Sequence, residues 1–176
     1  MKIAVTGHST GIGEALATQY IKRGHEIVGL SKRDGNNIRN TIKIAALIEP
    51  CDVFVNNAQA GYAQVELLFE MAKRWEGTNK HIINISTQMV GDPLSKNGLD
   101  EYRIQKVALE AAVSQLRFKQ MGVRFTVVRP GDVATPNNDK TCPPAADCNV
   151  WAEKLINIFE LAEPELVIPD ITLAVL

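Results

Sequence analysis

Short, wholly apolar runs alternate along this chain with longer stretches whose apolar residues recur every three to four positions. The runs at 2–7, 25–31, 51–57, 80–86 and 123–131 have strand length, and a last one lies near "ELVIP" at 165–169. Between them, 13–24, 40–50, 63–77, 99–122 and 150–164 carry the helical period, with Gly24 closing the first helix and Pro50 stopping the second. Strands apolar on both faces and separated by helices predict a parallel sheet covered on both sides. The class is α/β, doubly wound.

Composition changes this picture little. A chain of 176 residues suits one domain spanning 1–176. With 45% hydrophobic and 22% charged residues and a net charge of −1, neither a nucleic acid nor an anionic membrane is expected as partner. "MKIAV" has no signal-peptide layout, and no apolar run is long enough to span a bilayer, so a cytoplasmic location is expected. Cys51 stands alone, while Cys142 and Cys148 flank "PPAAD". Reduced thiols are expected, with a Cys142–Cys148 disulfide as the alternative, and no metal site.

In doubly wound sheets ligands bind beyond the carboxyl ends of the strands. The first exit reads "TGHSTGIG", where Gly7, Gly11 and Gly13 permit a sharp turn and a close approach of backbone to a phosphate at the N-terminus of the next helix. The fourth helix carries "YRIQK". Tyr102 and Lys106 are one turn apart, on the stripe of Leu109, Val113 and Leu116 that should face the sheet. A lysine on that stripe needs a partner, and a bound anionic cofactor would supply one.

Five motifs in order resemble those of the short-chain dehydrogenase/reductase family: "TGHSTGIG" its TGxxxGIG, "NNA" at 56–58 its NNAG, "IST" at 85–87 its catalytic serine region, "YRIQK" its YxxxK, and "RPGDVAT" at 129–135 its PGxVxT. The resemblance covers residues 1 to about 135 and implies a Rossmann-like sheet of six to seven strands in an unusually short member. It also implies an oxidoreductase acting on a small-molecule carbonyl or alcohol, in which Tyr102 exchanges the proton, Lys106 holds the nicotinamide ribose and lowers the tyrosine pKa, and Thr87, or Ser86 if the register shifts by one, polarises the substrate oxygen. Cofactor-binding positions implied in the first turn are Gly7, Ser9, Thr10, Gly11, Ile12 and Gly13. Ser31, Lys32, Arg33, Asn37 and Ile38 would sit at the adenosine end, Asn57 and Ala58 in the groove, and Pro130, Gly131, Val133 and Thr135 beside the nicotinamide. A homo-oligomer, dimer or tetramer, built on the helices at 64–77 and 99–121 is expected, the first bringing Val65, Leu67, Leu68, Phe69, Met71 and Trp75.

Departures from the family pattern are specific. Gln59 replaces the NNAG glycine, Gln64 is the nearest polar residue to the family's relay asparagine, and the family's third strand should shrink to a few residues around Asn37-Ile38-Arg39. The trimmed segment 136–149 should leave the substrate site open. At the second strand exit, "GLSKRDG" offers Ser31, Lys32 and Arg33 where an NAD enzyme has a carboxylate, so NADP(H) is expected ahead of NAD(H). The alternative to an enzyme is a catalytically silent NADP(H)-binding regulator of the same fold.

Overall fold

The computed structural model describes residues 1–91, 100–136, 145–161 and 168–174. Along the chain run β1 (Lys2–Thr6), α1 (Gly11–Lys22), β2 (Glu26–Leu30), α2 (Thr41–Ile48), β3 (Val53–Asn56), α3 (Ala63–Arg74), β4 (His81–Ile85), α4 (Glu101–Phe118), β5 (Arg124–Pro130), α5 (Cys148–Leu161) and β6 (Asp170–Leu173). The six strands form one parallel sheet in the order β2-β1-β3-β4-β5-β6. The direction of winding reverses between β1 and β3, so a crevice opens at their carboxyl ends.

Alternate residues of each strand feed two cores. Phe54 and Ile82 pack with Leu67, Leu68, Met71 and Trp75 of α3 and with Leu109 and Val113 of α4. Val55 and Ile83 face the other way, onto Leu16 of α1 and Trp151 and Leu155 of α5. Both faces are covered, which is why the strands read as unbroken apolar runs.

Three expectations change. The last described strand runs Asp170–Leu173, directly after the expected "ELVIP", of which 165–167 lie outside the described residues; the Pro169 carbonyl already accepts from the Val127 amide (2.9 Å), and the register with Val127 begins at Asp170. No strand forms at Asn37–Arg39. The Asn37 side chain accepts from the Arg39 amide (3.1 Å) and Asn40 caps α2 by accepting from the Lys43 amide (3.4 Å), so the segment turns directly into a helix. The described sheet therefore has six strands, with β2 at one edge. In α3, Leu67, Leu68, Met71 and Trp75 are at most 1% exposed and belong to the chain's own core, which leaves Phe69 as the exposed large apolar residue of that helix.

Cys51 and Cys148 are free thiols, and Cys142 lies outside the described residues, as does the middle of segment 136–149. Among the described residues no cluster could hold a metal ion and no helix is long and apolar enough to cross a membrane.

His81 opens β4 beneath α5, its ring edge-on to Phe159. Thr126 Oγ1 lies 2.9 Å from His81 Nε2 and gives its own proton to the Ile168 carbonyl (2.7 Å), so the imidazole must donate from Nε2. Burial, aided by nearby Arg124, lowers its pKa from 6.5 to about 4. Above pH 6.5 the ring is neutral folded or unfolded, and below it only the unfolded chain gains a proton. Stability should fall as pH drops from 6.5 to about 4, by on the order of 3 kcal/mol in total. Urea midpoints at pH 7 and pH 5 should differ in wild type and differ less in His81→Gln.

Candidate functional site: a groove across the strand exits

β1 ends in Thr6, a fully buried hydroxyl. Its Oγ1 accepts from the amides of Asn57 (3.0 Å) and Ala58 (3.1 Å) and donates to the Val55 carbonyl (3.3 Å), while the Thr6 carbonyl accepts from Asn57 Nδ2 (2.9 Å). The exits of β1 and β3 are thus tied side to side. Gly7 and Gly11 follow at φ 73° and 58°, the left-handed region. A Cβ on Gly13 would lie 2.3 Å from the Gly7 carbonyl oxygen and 2.6 Å from Asn57 Nδ2. The first turn of α1 can approach the sheet only because that position is glycine. Thr10, the N-cap, makes no side-chain capping bond, so the first amides of α1 face the groove free of a capping side chain.

Beyond β2, Ser31 is buried and its hydroxyl donates to Asp34 (2.6 Å). Asp34 also approaches His8 Nε2 (3.6 Å), whose ring occupies the space left by the missing side chain of Gly29. Lys32 and Arg33 lie exposed on the intervening turn, Arg33 reaching the Ser9 carbonyl (3.5 Å). Ser9, Ser31, Lys32 and Arg33, with Asn37, Ile38 and Ala58, line a cleft of about 550 Å³.

A second cleft of about 740 Å³ opens between the exits of β4 and β5 and the start of α4. Ser86, Thr87, Lys106, Pro130, Gly131 and Val133 line it. Ile12, Asn57, Gln59, Tyr102 and Thr135 line both clefts, so the two form one groove. Every site residue expected from the sequence borders this groove except Gly13, which shapes it from behind.

Tyr102 stands at the shared wall, and Thr87 lines the second cleft beside it. Burial raises the Tyr102 pKa, and the Thr87 hydroxyl opposes that shift. Lys106 is 2% exposed, and its ammonium donates to the Ile85 carbonyl (2.7 Å) and Gln64 Oε1 (2.8 Å), 5.5 Å from the centre of the Tyr102 ring. Desolvation brings Lys106 down to about 7, with Glu110 pulling the other way. The expected depression of the tyrosine pKa by the lysine is therefore not seen in the chain alone. A desolvated lysine turned toward a carbonyl and an amide does little for a phenolate.

Ser86 and Thr87 are separated in role. Ser86 donates to Glu110 (2.6 Å), while Thr87 lines the cleft beside the tyrosine. Gln64, 2% exposed, touches Lys106 directly and is itself anchored to the carbonyls of Asn56 (2.6 Å) and Ile85 (3.1 Å). Two partners were not foreseen. Gln59 donates to Gln105 across the groove, and Glu110 links Ser86 to Arg129. Glu110 lies one helical turn past Lys106, a spacing that could have flagged it.

No protein-family model and no curated protein matches the sequence. Solved structures do. An alcohol dehydrogenase from the archaeon Thermococcus sibiricus, complexed with 5-hydroxy-NADP, superposes with a TM-score of 0.78 at 19% identity, covering 98% of this chain and 95% of that one. A short-chain dehydrogenase from Burkholderia cenocepacia in complex with NADP gives 0.81 at 14% identity, over 99% and 88% of the two chains. A 3-ketoacyl-(acyl-carrier-protein) reductase from Brucella melitensis, complexed with NADH, gives 0.76 at 16% identity, over 98% and 96%. This is the short-chain dehydrogenase/reductase fold.

Within that fold, the close approach at Gly13 gives a direct test. Gly13→Ala should destabilise the chain by about 1–3 kcal/mol, since the new methyl meets backbone rather than a flexible side chain. Gly91→Ala, with nothing within 4 Å, should be near neutral in the same urea titration.

Proposed function

We propose that this chain is an NADP(H)-dependent oxidoreductase that moves hydride between a nicotinamide and a small carbonyl or alcohol. The observation that carries this reading is the Thr87–Tyr102–Lys106 cluster standing at the wall shared by the two clefts. The groove suits a dinucleotide. Its first turn is built on glycines at positive φ, Gly13 leaves room for nothing larger, and the first helix presents amides without a capping side chain. Gly7, Ser9, Thr10, Gly11 and Ile12 would hold the phosphates, Asn57 and Ala58 the middle of the molecule, and Pro130, Gly131, Val133 and Thr135 its nicotinamide end. Structures of this fold bound to NADP and to NADH both support a nicotinamide cofactor.

Bound there, the nicotinamide supplies or accepts the hydride. The chain's own groups manage the oxygen and the proton. Tyr102, its pKa raised by burial, is protonated at neutral pH and so is set to donate to a carbonyl oxygen. Thr87 lines the same cleft as that phenol and offers a second hydroxyl to the same oxygen. Lys106 is fixed by Gln64 and Ile85 beneath the tyrosine ring, where it would hold the ribose. Gln64 takes the place beside the lysine that the family gives to its asparagine and contacts it directly. Self-association along α3 and α4 would draw on Phe69, Ile104 and Val107, which are exposed.

Tyr102→Phe removes only the hydroxyl. Turnover of NADPH with a carbonyl identified from a panel of aldehydes, ketones and quinones should be lost, with NADPH affinity unchanged within a few-fold. Near wild-type kcat in this variant would overturn the assignment.

Preference for NADP(H) rests on Lys32 and Arg33, exposed cations beside Ser31. Charge-assisted bonds to a 2′-phosphate are about twice as strong as neutral ones. The Lys32→Ala/Arg33→Ala double variant should bind NADPH about 10- to 100-fold more weakly, about 1.4 kcal/mol per tenfold, with NADH binding nearly unchanged. Calorimetric titration of both cofactors checks this, and equal losses for the two would refute it.

A further inference from the structure

We infer that Glu110 is a positioning residue, clamping Ser86 to Arg129 and thereby fixing Thr87 in the cleft it shares with Tyr102. The inference deepens the oxidoreductase reading and rests on it only where turnover is measured.

Three elements must meet for the Thr87–Tyr102–Lys106 cluster to form: the exit of β4, the exit of β5 and α4. Glu110 touches all three. It sits on α4 one turn beyond Lys106, and its side chain is only 14% exposed. One carboxylate oxygen accepts from Ser86 Oγ (2.6 Å), immediately before Thr87. The carboxylate also receives a forked pair from Arg129, whose Nε lies 2.9 and 3.1 Å from its two oxygens and whose second nitrogen lies 2.6 Å from Oε2. Arg129 directly precedes Pro130 and Gly131, which border the second cleft. Such a fork fixes orientation as well as distance.

The clamp is anchored from outside. Arg129 also faces Asp170 of β6 (3.8 Å), and Asp170 in turn pairs with Arg117 of α4 (3.4 Å). The strand exits are thus fastened to the helix that presents Tyr102, independently of the apolar packing below. None of these charges faces the groove's phosphate end, so binding a dinucleotide does not account for them.

Electrostatics run in the same direction. The charged and titratable groups around Lys106 are Tyr102 and Glu110 on its own helix and Asp132 lining the same cleft, with the neutral Gln64, Ile85 carbonyl and Thr87 opposite. Glu110 raises the Lys106 pKa against desolvation, and Thr87 lowers that of Tyr102. Releasing the clamp removes both effects. Thr87 loses its fixed place, which makes the Tyr102 phenolate harder to form, and Lys106 becomes a weaker cation.

The test needs neither cofactor nor turnover. The chain has three tyrosines, so protein labelled with ¹³C at the tyrosine ζ-carbon gives resolvable titrations, with Tyr102→Phe assigning the signal. Glu110→Gln removes the charge. Ser86→Ala cuts the link to Thr87 while leaving the Glu110–Arg129 pair in place, so it keeps the inference testable if Glu110→Gln fails to fold. In both variants the Tyr102 midpoint should rise by about half a pH unit or more, and Ser86→Thr should restore it. With a reducible carbonyl in hand, kcat should fall by up to about 10²-fold while KM for NADPH stays within a few-fold, the pattern of a misplaced group rather than a lost binding contact. A folded Ser86→Ala whose Tyr102 midpoint and kcat match wild type overturns the inference. A wild-type chain inert toward every carbonyl tried counts against the oxidoreductase reading instead, and the tyrosine titration then judges Glu110 alone.

Discussion

The hydroxyl of Thr6 holds the exits of two neighbouring strands in register at the place where the sheet changes its direction of winding. It satisfies two amides that would otherwise be orphaned as β3 leaves the sheet, and it donates to a third group. With β1 and β3 so joined, Asn57 is placed against Gly7 and Gly13, and α1 is drawn onto the strand ends. The groove is what remains between that helix and the exits of β4 and β5. Moving the junction would move both walls.

Burial then decides the chemistry of the far wall. Lys106 is almost wholly removed from water, and two neutral acceptors and one carboxylate a turn away only partly offset the loss of hydration. Tyr102 is drawn the other way by the same desolvation. On one helical turn the two groups are driven apart, the lysine down and the phenol up, with a threonine hydroxyl opposing the shift of the phenol.

The order of elements was legible because each strand is apolar on both faces and each helix on one, and the cluster on α4 because its residues sit a helical turn apart. What failed to show were matters of partner choice. Ser86 and Thr87 are adjacent hydroxyls in sequence, and only the position of Glu110 on a separate element separates them. The last strand was read near "ELVIP", while its described residues run on to Asp170–Leu173, continuing from the Pro169 carbonyl. Most of the apolar surplus of α3 is consumed by α2 and the sheet, which only the packing reveals. Sequence reports how much surface must be hidden, and the fold reports from whom.

The unpaired outer side of β2 has a further consequence. A five-residue edge strand in a parallel sheet offers amides and carbonyls to any extended peptide, the same template that promotes intermolecular β-assembly. Here the template is short. Glu26 at its start is paired with Lys2, and Lys32 and Arg33 follow its end, so an incoming strand would meet charge at both limits of the register. That edge thus carries its own protection against self-templated aggregation, and replacing its flanking charges with apolar residues would weaken colloidal behaviour before it weakened folding.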